Sequence, residues 1–458
     1  MALTVSLDDI VAGGNSLLDI KPHWQRVRLG DVGQVLNGYA FKAELFTREG
    51  GMPLIRIRDV GSSASETFYS GDYDERYVVN AGDLLVGMDG DFNCARWLGP
   101  RSLLNQRVCK ITVDESLYLP GFLDYVLPGY LKAINDATSS ITVKHLSSRT
   151  IQDIPLPLPP LDEQREIVAE LEKQFSRLDE AVANLQRVKA NLKRYKASVL
   201  KAAVEGRLVE TEATLARRES RTYETGEQLL QRILEERRKE SKGSAKPSDV
   251  NSLAEMSSLP EGWVWTTLGQ CFRVAVGATP SRKESTYWDG DIPWVSSGEV
   301  QLGRIRHTAE HITAAGLANS STQINPAGSV MIGMIGQGRT RGQAAILDID
   351  AANNQNCAAI WVSRTDLPPE FVFSWLLSRY TETRSEGSGN NQQALNKRLV
   401  EQIPLPLPPL AEQVRIVAEV DRHLSIIREV EAEVDANLQR AQALRQATLS
   451  KAFSGDPR

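Results

Sequence analysis

Two arginines and two glutamines alternate with glycine and threonine in Gln337-Gly-Arg339-Thr-Arg341-Gly-Gln343. Side chains of these types carry paired hydrogen-bonding groups that match base edges. Arginine fits guanine, asparagine or glutamine fits adenine, and aspartate or glutamate accepts from cytosine. Glycine between them lets a backbone approach its ligand closely. Two more polar sets lie in the same half of the chain: Thr279-Pro-Ser281-Arg282-Lys283, and Gly389-Asn390-Asn391-Gln392-Gln393 running on to Lys397. The first half offers counterparts in Tyr39 to Lys42, in Asp89-Gly-Asp91-Phe-Asn93-Cys-Ala-Arg96, and in Ser139-Ser140 to Lys144-His145. Arg56 and Arg58, two apart on the extended stretch Pro53–Val60, are expected to share one strand face. The Lys, Arg, Ser and Thr among these residues suit phosphate oxygens. For any one of them a plain solvated loop is the competing reading, so the sets carry more weight than their members.

Catalytic patterns are missing or incomplete. There is no GxxxxGK(S/T) phosphate loop and no Asn-Pro-Pro-Tyr-like methylase motif. Gly333-Met-Ile-Gly336-Gln-Gly338 lacks the GxGxxG spacing and reads as a glycine-rich turn between strands. His307-Thr-Ala-Glu310-His311 spells H-x-x-E-H, but no third ligand accompanies it, and a catalytic zinc site takes three protein ligands. Cys94, Cys109, Cys271 and Cys357 are scattered and form no CxxC, which favours a reducing compartment over a disulfide or zinc framework. The net charge of −5 argues against a chain that grips DNA wholly alone, and leaves room for partners that bring positive surface. No apolar stretch approaches a membrane span, and the start of the sequence has no basic signal-like region. A cytoplasmic location without membrane contact is therefore expected.

The elements that must position these loops occur twice. Ile154-Pro-Leu-Pro-Leu-Pro-Pro-Leu161 returns unchanged as Ile403–Leu410, and from 154 to 170 only positions 162, 165 and 166 differ between the copies. A repeat at that distance duplicates a whole domain. Before each copy lie short β-rich pieces broken by turns, among them Val32–Leu36, Pro53–Ile57, Leu84–Gly87 and Val108–Val113, and a helix over Leu119–Ala133. Trp24, Leu29-Gly30, Gly82, Met88 and Asn105-Gln106 align with Trp263, Leu268-Gly269, Gly328, Met334 and Asn354-Gln355. The loops between these anchors have diverged. After each copy comes a proline-free amphipathic stretch. The first has its seam at Leu161, Val168, Leu171, Phe175, Leu178, Val182, Leu185, Val188, Leu192, Tyr195 and Val199; the second runs from Leu410 through Val430 and Leu444. A helix of such length, ~66 Å at ~1.5 Å per residue, needs a partner for its seam, and each supplies the other's. The connector opens with the capping box Thr225-Gly-Glu-Gln228, and Ser241–Ser258 reads as a flexible linker. The expected fold is α+β: two β-rich globules, each followed by a long helix, with the helices paired as an antiparallel coiled coil. The boundaries read as 1–153 for the first globule, 154–210 for its helix, 211–258 for connector and linker, 259–402 for the second globule and 403–458 for the last helix.

The repeated PLPLPPLxEQ before a long helix, the opening Leu259-Pro-Glu-Gly-Trp-Val-Trp265, and Thr222–Arg237 after the first helix resemble the specificity subunit of bacterial type I restriction–modification systems. The resemblance spans nearly the whole chain. It implies that the globules are target recognition domains, each reading half of a split, asymmetric DNA sequence, and that the chain itself catalyses nothing. It implies two methyltransferase subunits docked on the helices, carrying S-adenosylmethionine for adenine N6 methylation, and restriction/translocase subunits that join for cleavage. No cofactor is expected in this chain. The competing reading is a coiled-coil scaffold that bridges two protein partners without touching DNA.

Overall fold

The computed structural model describes residues 6–13, 18–138, 144–240, 258–336, 340–380 and 395–454. The chain forms two compact units, Met1–Gln186 with Asp435–Arg458, and Arg187–Val434.

In the first unit, Gly33–Asn37, Val108–Val113, Leu84–Gly87 and Cys94–Arg96 form an antiparallel sheet in that order. The first strand begins one residue later than expected because Leu29–Val32 closes a helical turn. A second sheet runs Phe46–Thr47, Phe68–Tyr69, Met52–Ile55, Ser102–Leu104, Val78–Val79, with Met52–Ile55 parallel to Ser102–Leu104. Helix Pro120–Ala137 buries Phe122, Leu123, Val126, Leu127, Tyr130 and Leu131 in the core, and Trp24 packs edge-on to Phe122.

The second unit repeats the pattern. Val274–Val276, Cys357–Ile360, Val330–Gly333, Ala344–Leu347 and Arg304–Ile305 form one sheet in that order. Trp288–Val295 lies between Glu310–Ile312 and Ala352–Asn353, parallel to the latter. Helix Pro369–Ser378 supplies Phe371, Val372, Trp375 and Leu376 to the core, and Trp294 is buried as well.

The duplicated Pro-Leu segment is a strand of each globule. Pro155–Leu158 pairs antiparallel with Gln25–Arg28, and Pro404–Leu407 with Val264–Thr267. Each ribbon has two strands, so every proline sits on an edge, where a missing N–H costs little. Leu156, Leu405 and Leu407 are buried. The Glu-Gln pair that follows is a staple. Gln164 donates to the Pro159 carbonyl at 2.9 Å and accepts from the Leu119 N–H at 2.8 Å. Gln413 donates to the Pro408 carbonyl at 2.9 Å.

Two long helices, Leu161–Val204 and Leu410–Ser454, run antiparallel. In the first unit Arg445 pairs with Asp179 at 2.6 Å and lies over the Phe175 ring, while Phe453 meets Phe122. In the second, the Tyr195 hydroxyl bonds His423 Nδ1 at 2.9 Å. Leu171, Phe175, Val199, Ile416, Val420, Ile427 and Val434 are buried. Val188, Tyr195, Val430 and Leu444, expected in the seam, are instead exposed, Leu444 by 57%. Two helices cover only the side chains pointing directly at each other, and the apolar stripe is wider than that contact.

In the connector, Thr225 and Gln228 form the expected reciprocal cap, with bonds of 2.9 and 3.2 Å, and start helix Gly226–Glu240. Helix Glu212–Glu219 begins at Glu412, whose Oε2 accepts the Glu212 N–H at 2.8 Å. Residues 241–257, most of the expected linker, lie outside the described residues. Among the described residues, no helix is long and apolar enough to cross a membrane.

Candidate nucleic-acid interface

In the first globule the polar segments converge through backbone bonds. The Met88 N–H donates to the Arg107 carbonyl at 2.8 Å, and the Leu146 N–H to the Met88 carbonyl at 2.7 Å. Gly90 N–H reaches the Lys144 carbonyl at 3.1 Å, and Gln106 N–H the Tyr39 carbonyl at 2.8 Å. The segment after the first strand can come this close because position 38 is glycine. A Cβ there would stand 2.0 Å from the Asn105 carbonyl oxygen.

The second globule uses the same wiring with different side chains. The Met334 N–H donates to the Asn356 carbonyl at 2.8 Å, and the Leu395 N–H to the Met334 carbonyl at 3.0 Å. Gly277 takes the place of Gly38, with the Asn353 carbonyl oxygen 1.8 Å from where a Cβ would sit. Thr279 ties the first segment to the turn by donating to Gln355 Oε1 at 2.7 Å.

Within this frame the expected contact residues separate into groups. Asn93 is exposed at the tip of its turn. Asp89 accepts from His145 Nδ1 at 2.6 Å and faces Arg107 Nε at 3.5 Å. Arg96 and Lys144 are half-buried and tied to partners of the same globule. Arg96 pairs with Asp124 of helix Pro120–Ala137 at 2.6 Å and bonds the Gly82 carbonyl; Lys144 donates to the backbone and side-chain oxygens of Asn135 at 2.6 and 2.9 Å. Burial raises the Asp124 carboxyl above its ordinary range, with Arg96 opposing the shift.

Arg56 and Arg58 do not share a strand face. The strand ends at Ile55 and a 3-10 turn, Ile57–Asp59, follows, because the Asp59 carboxylate accepts the Arg56 N–H at 2.8 Å. Glu299 makes the same turn in the second globule, accepting from the Ser296 N–H at 2.7 Å. Arg56 is exposed, and Arg58 bonds Thr67 at 3.2 Å.

In the second globule, Arg282 lies 3.8 Å from the Trp288 ring centroid and pairs with Glu310, whose carboxyl that guanidinium holds below the ordinary range. Ser281 is exposed, its carbonyl accepting from Trp288 Nε1 at 3.2 Å. Arg341 and Gln343 are half-buried in the turn after strand Val330–Gly333. Lys397 opens helix Lys397–Glu401 and lies 3.7 Å from Glu401. Gln337, Arg339, Asn390, Asn391 and Gln392 lie outside the described residues.

Sequence reasoning used the Asn-Gln turn only to align the halves and passed over Arg107 and Gln355. Arg107 follows Asn105-Gln106 and has φ 72°, in the left-handed region, with its side chain 54% exposed. A polar residue directly after an alignment anchor was the available signal.

Among the described residues, no catalytic grouping competes with these loops. Glu310 and His311 of the H-x-x-E-H stretch lie on strand Glu310–Ile312, and Glu310 is occupied by Arg282. Among the described residues, no cluster of His, Cys, Asp and Glu is placed to hold a metal. All four cysteines are free; burial pushes the Cys109 and Cys357 thiols up to about 12 and Cys271 to about 11, so these three stay protonated at neutral pH.

Known proteins carry the same duplicated arrangement. The family described as the type I restriction modification DNA specificity domain matches residues 22–193 and again 260–439. The type I restriction enzyme EcoBI specificity subunit of Escherichia coli is 35% identical over 454 residues, covering 96% of this chain and 88% of that protein. The EcoDI specificity subunit of the same species is 23% identical over 455 residues, with 94% and 88% covered. A solved chain from work on complex assembly and conformational transition of the type I R-M system shares the fold, with a TM-score of 0.62 at 21% identity over 96% of this chain and 99% of that one. With the family's domain present twice and a relative at 35% identity matched along nearly its whole length, this chain belongs to the specificity subunits of type I restriction–modification systems.

Proposed function

We propose that the chain reads a split, asymmetric duplex sequence, one half-site per globule, and docks two methyltransferase subunits that methylate adenine N6. One observation carries this reading. The two globules share a backbone frame, Met88–Arg107 in one and Met334–Asn356 in the other, yet present different side chains at its tips. A common scaffold with divergent tips suits two related ligands of different sequence, which the half-sites of an asymmetric target are. The exposed apolar residues Val188, Tyr195, Ile426 and Val430 of the long helices support docking there, since such side chains are covered by a partner's helices in a larger bundle. S-adenosylmethionine belongs to those partners, and restriction/translocase subunits complete the nuclease. The partners also supply the positive surface that a chain of net charge −5 lacks.

Long-read methylation mapping of genomic DNA tests this, comparing cells that carry the cognate methyltransferase with and without the chain. A split motif with methyladenine on both strands, lost when the chain is absent, is the expected result. An active methyltransferase whose motif does not depend on the chain leaves the two-partner scaffold as the better reading.

A further inference from the structure

We propose that Arg107 reads a guanine edge in the first half-site, with Asp89 as its positioning residue and His145 holding Asp89. This deepens the split-target reading and rests on it.

Arg107 stands where the polar segments of the first globule converge, its carbonyl accepting the Met88 N–H at 2.8 Å. Its backbone has φ 72°, a conformation that costs any residue with a Cβ energy and is retained where the surroundings fix it. More than half of the side chain is exposed. The guanidinium is nevertheless positioned. Asp89 Oδ2 lies 3.5 Å from Nε, while Asp89 Oδ1 is 2.6 Å from His145 Nδ1. A ring nitrogen that close to a carboxylate oxygen carries its proton, so Nδ1 donates to Asp89 and cannot accept from Arg107 Nη1, 3.1 Å away. The Nη edge of Arg107 is thus left without an acceptor among the described residues. An arginine oriented from its Nε side, with a free fork of N–H donors, has the geometry that meets guanine O6 and N7 together. In the second globule the matching turn carries the neutral amides Gln355 and Asn356, so the two frames differ in chemistry at this point.

The test is methylation mapping of Arg107→Ala, Arg107→Lys and Asp89→Asn chains, each with the cognate methyltransferase. Methylation rates are then measured on duplexes carrying all four bases at each position of the first half-site. Arg107→Ala is expected to lower discrimination for guanine at one position by roughly tenfold or more and to leave the second half-site intact. Arg107→Lys keeps the charge without the fork and should relax the same position; it serves if the alanine chain fails to fold. Asp89→Asn should relax that position too, adding little to Arg107→Ala, a coupling that a merely structural aspartate would not show. Unchanged base preference in active variants, or slower methylation equal for all four bases, overturns the proposal. A motif that does not depend on the chain at all overturns the split-target reading instead.

Discussion

Trp24 donates its indole N–H to the Glu163 carboxylate at 2.9 Å, joining the strand that opens the first globule to the helix that leaves it. Trp263 and Glu412 repeat the bond at 3.0 Å. The two glutamates nevertheless differ. Burial alone would raise Glu163, but Lys21 at 2.8 Å and Trp24 outweigh it, and its pKa falls below the ordinary 4.5. At Glu412 burial dominates and the pKa is raised, against the opposing pull of the Glu212 N–H, Trp263 and the charge of Arg415.

Opposite pH behaviour follows. Glu163 has a depressed folded pKa, so its contribution to stability is present above about 4.5 and is lost as pH falls through the folded value. Glu412 has a raised folded pKa, so its ionised form is penalised at neutral pH and the penalty is relieved on acidification. Glu163→Gln should lower stability at pH 7 by ~1 kcal/mol, with the deficit shrinking below pH 4.5, whereas Glu412→Gln should be neutral or stabilising at pH 7. Thermal unfolding of both variants across this pH range checks the sign; equal losses at neutral pH would contradict it.

Arg96 pairs with Asp124 of the first globule's helix at 2.6 Å, which gives it a structural role to set against DNA contact. Arg96→Ala is expected to destabilise the chain by ~1–3 kcal/mol, because it leaves a partly buried carboxylate unpaired, while the methylated motif stays the same. Denaturant unfolding combined with methylation mapping separates the two roles, and a changed motif would return Arg96 to the contact set.

Arg282, stacked on Trp288, and Arg341, in the turn after Val330–Gly333, both belong to the second globule. Arg282→Ala, Arg339→Ala and Arg341→Ala should each alter selectivity or affinity in one half-site only, by roughly 1–3 kcal/mol for a base contact. Simultaneous loss of selectivity in both half-sites would mean that the globules do not read independently.

Four residues inserted within Leu178–Leu192 add about one turn, ~6 Å of helix. Under the split-target reading, the gap between half-sites should grow by one or two base pairs of ~3.4 Å each. The gap is read directly from the methylated motif. An active insertion variant with an unchanged gap rules out the helices as the spacer.

Ile426 and Val430 are exposed although they lie on an apolar stripe. Ile426→Asp or Val430→Asp should reduce co-purification of the methyltransferase while changing the chain's own stability by less than ~0.5 kcal/mol. Undiminished co-purification would place docking elsewhere.

The sequence alone determined the duplication, the β-rich globules and the paired helices. Those features are written in local periodicity and in a 17-position repeat with three differences, and both signals survive without coordinates. It also located the polar loop sets, because loops that carry Arg, Gln, Asn and Gly stand out by composition. Only the tertiary structure decided which of those side chains are available. Arg96 and Lys144 look like free loop cations in the sequence, but Asp124 and Asn135, 28 and 9 residues away along the chain, engage them within the globule. Arg56 and Arg58 look like a shared strand face, but the Asp59 carboxylate turns the chain between them. Arg107 carries no motif and becomes conspicuous only when the Met88 turn and His145 close around it. The same holds for the seam: spacing marks Leu444 and Val188 as apolar-face positions, but how much of a stripe is covered depends on how many helices surround it.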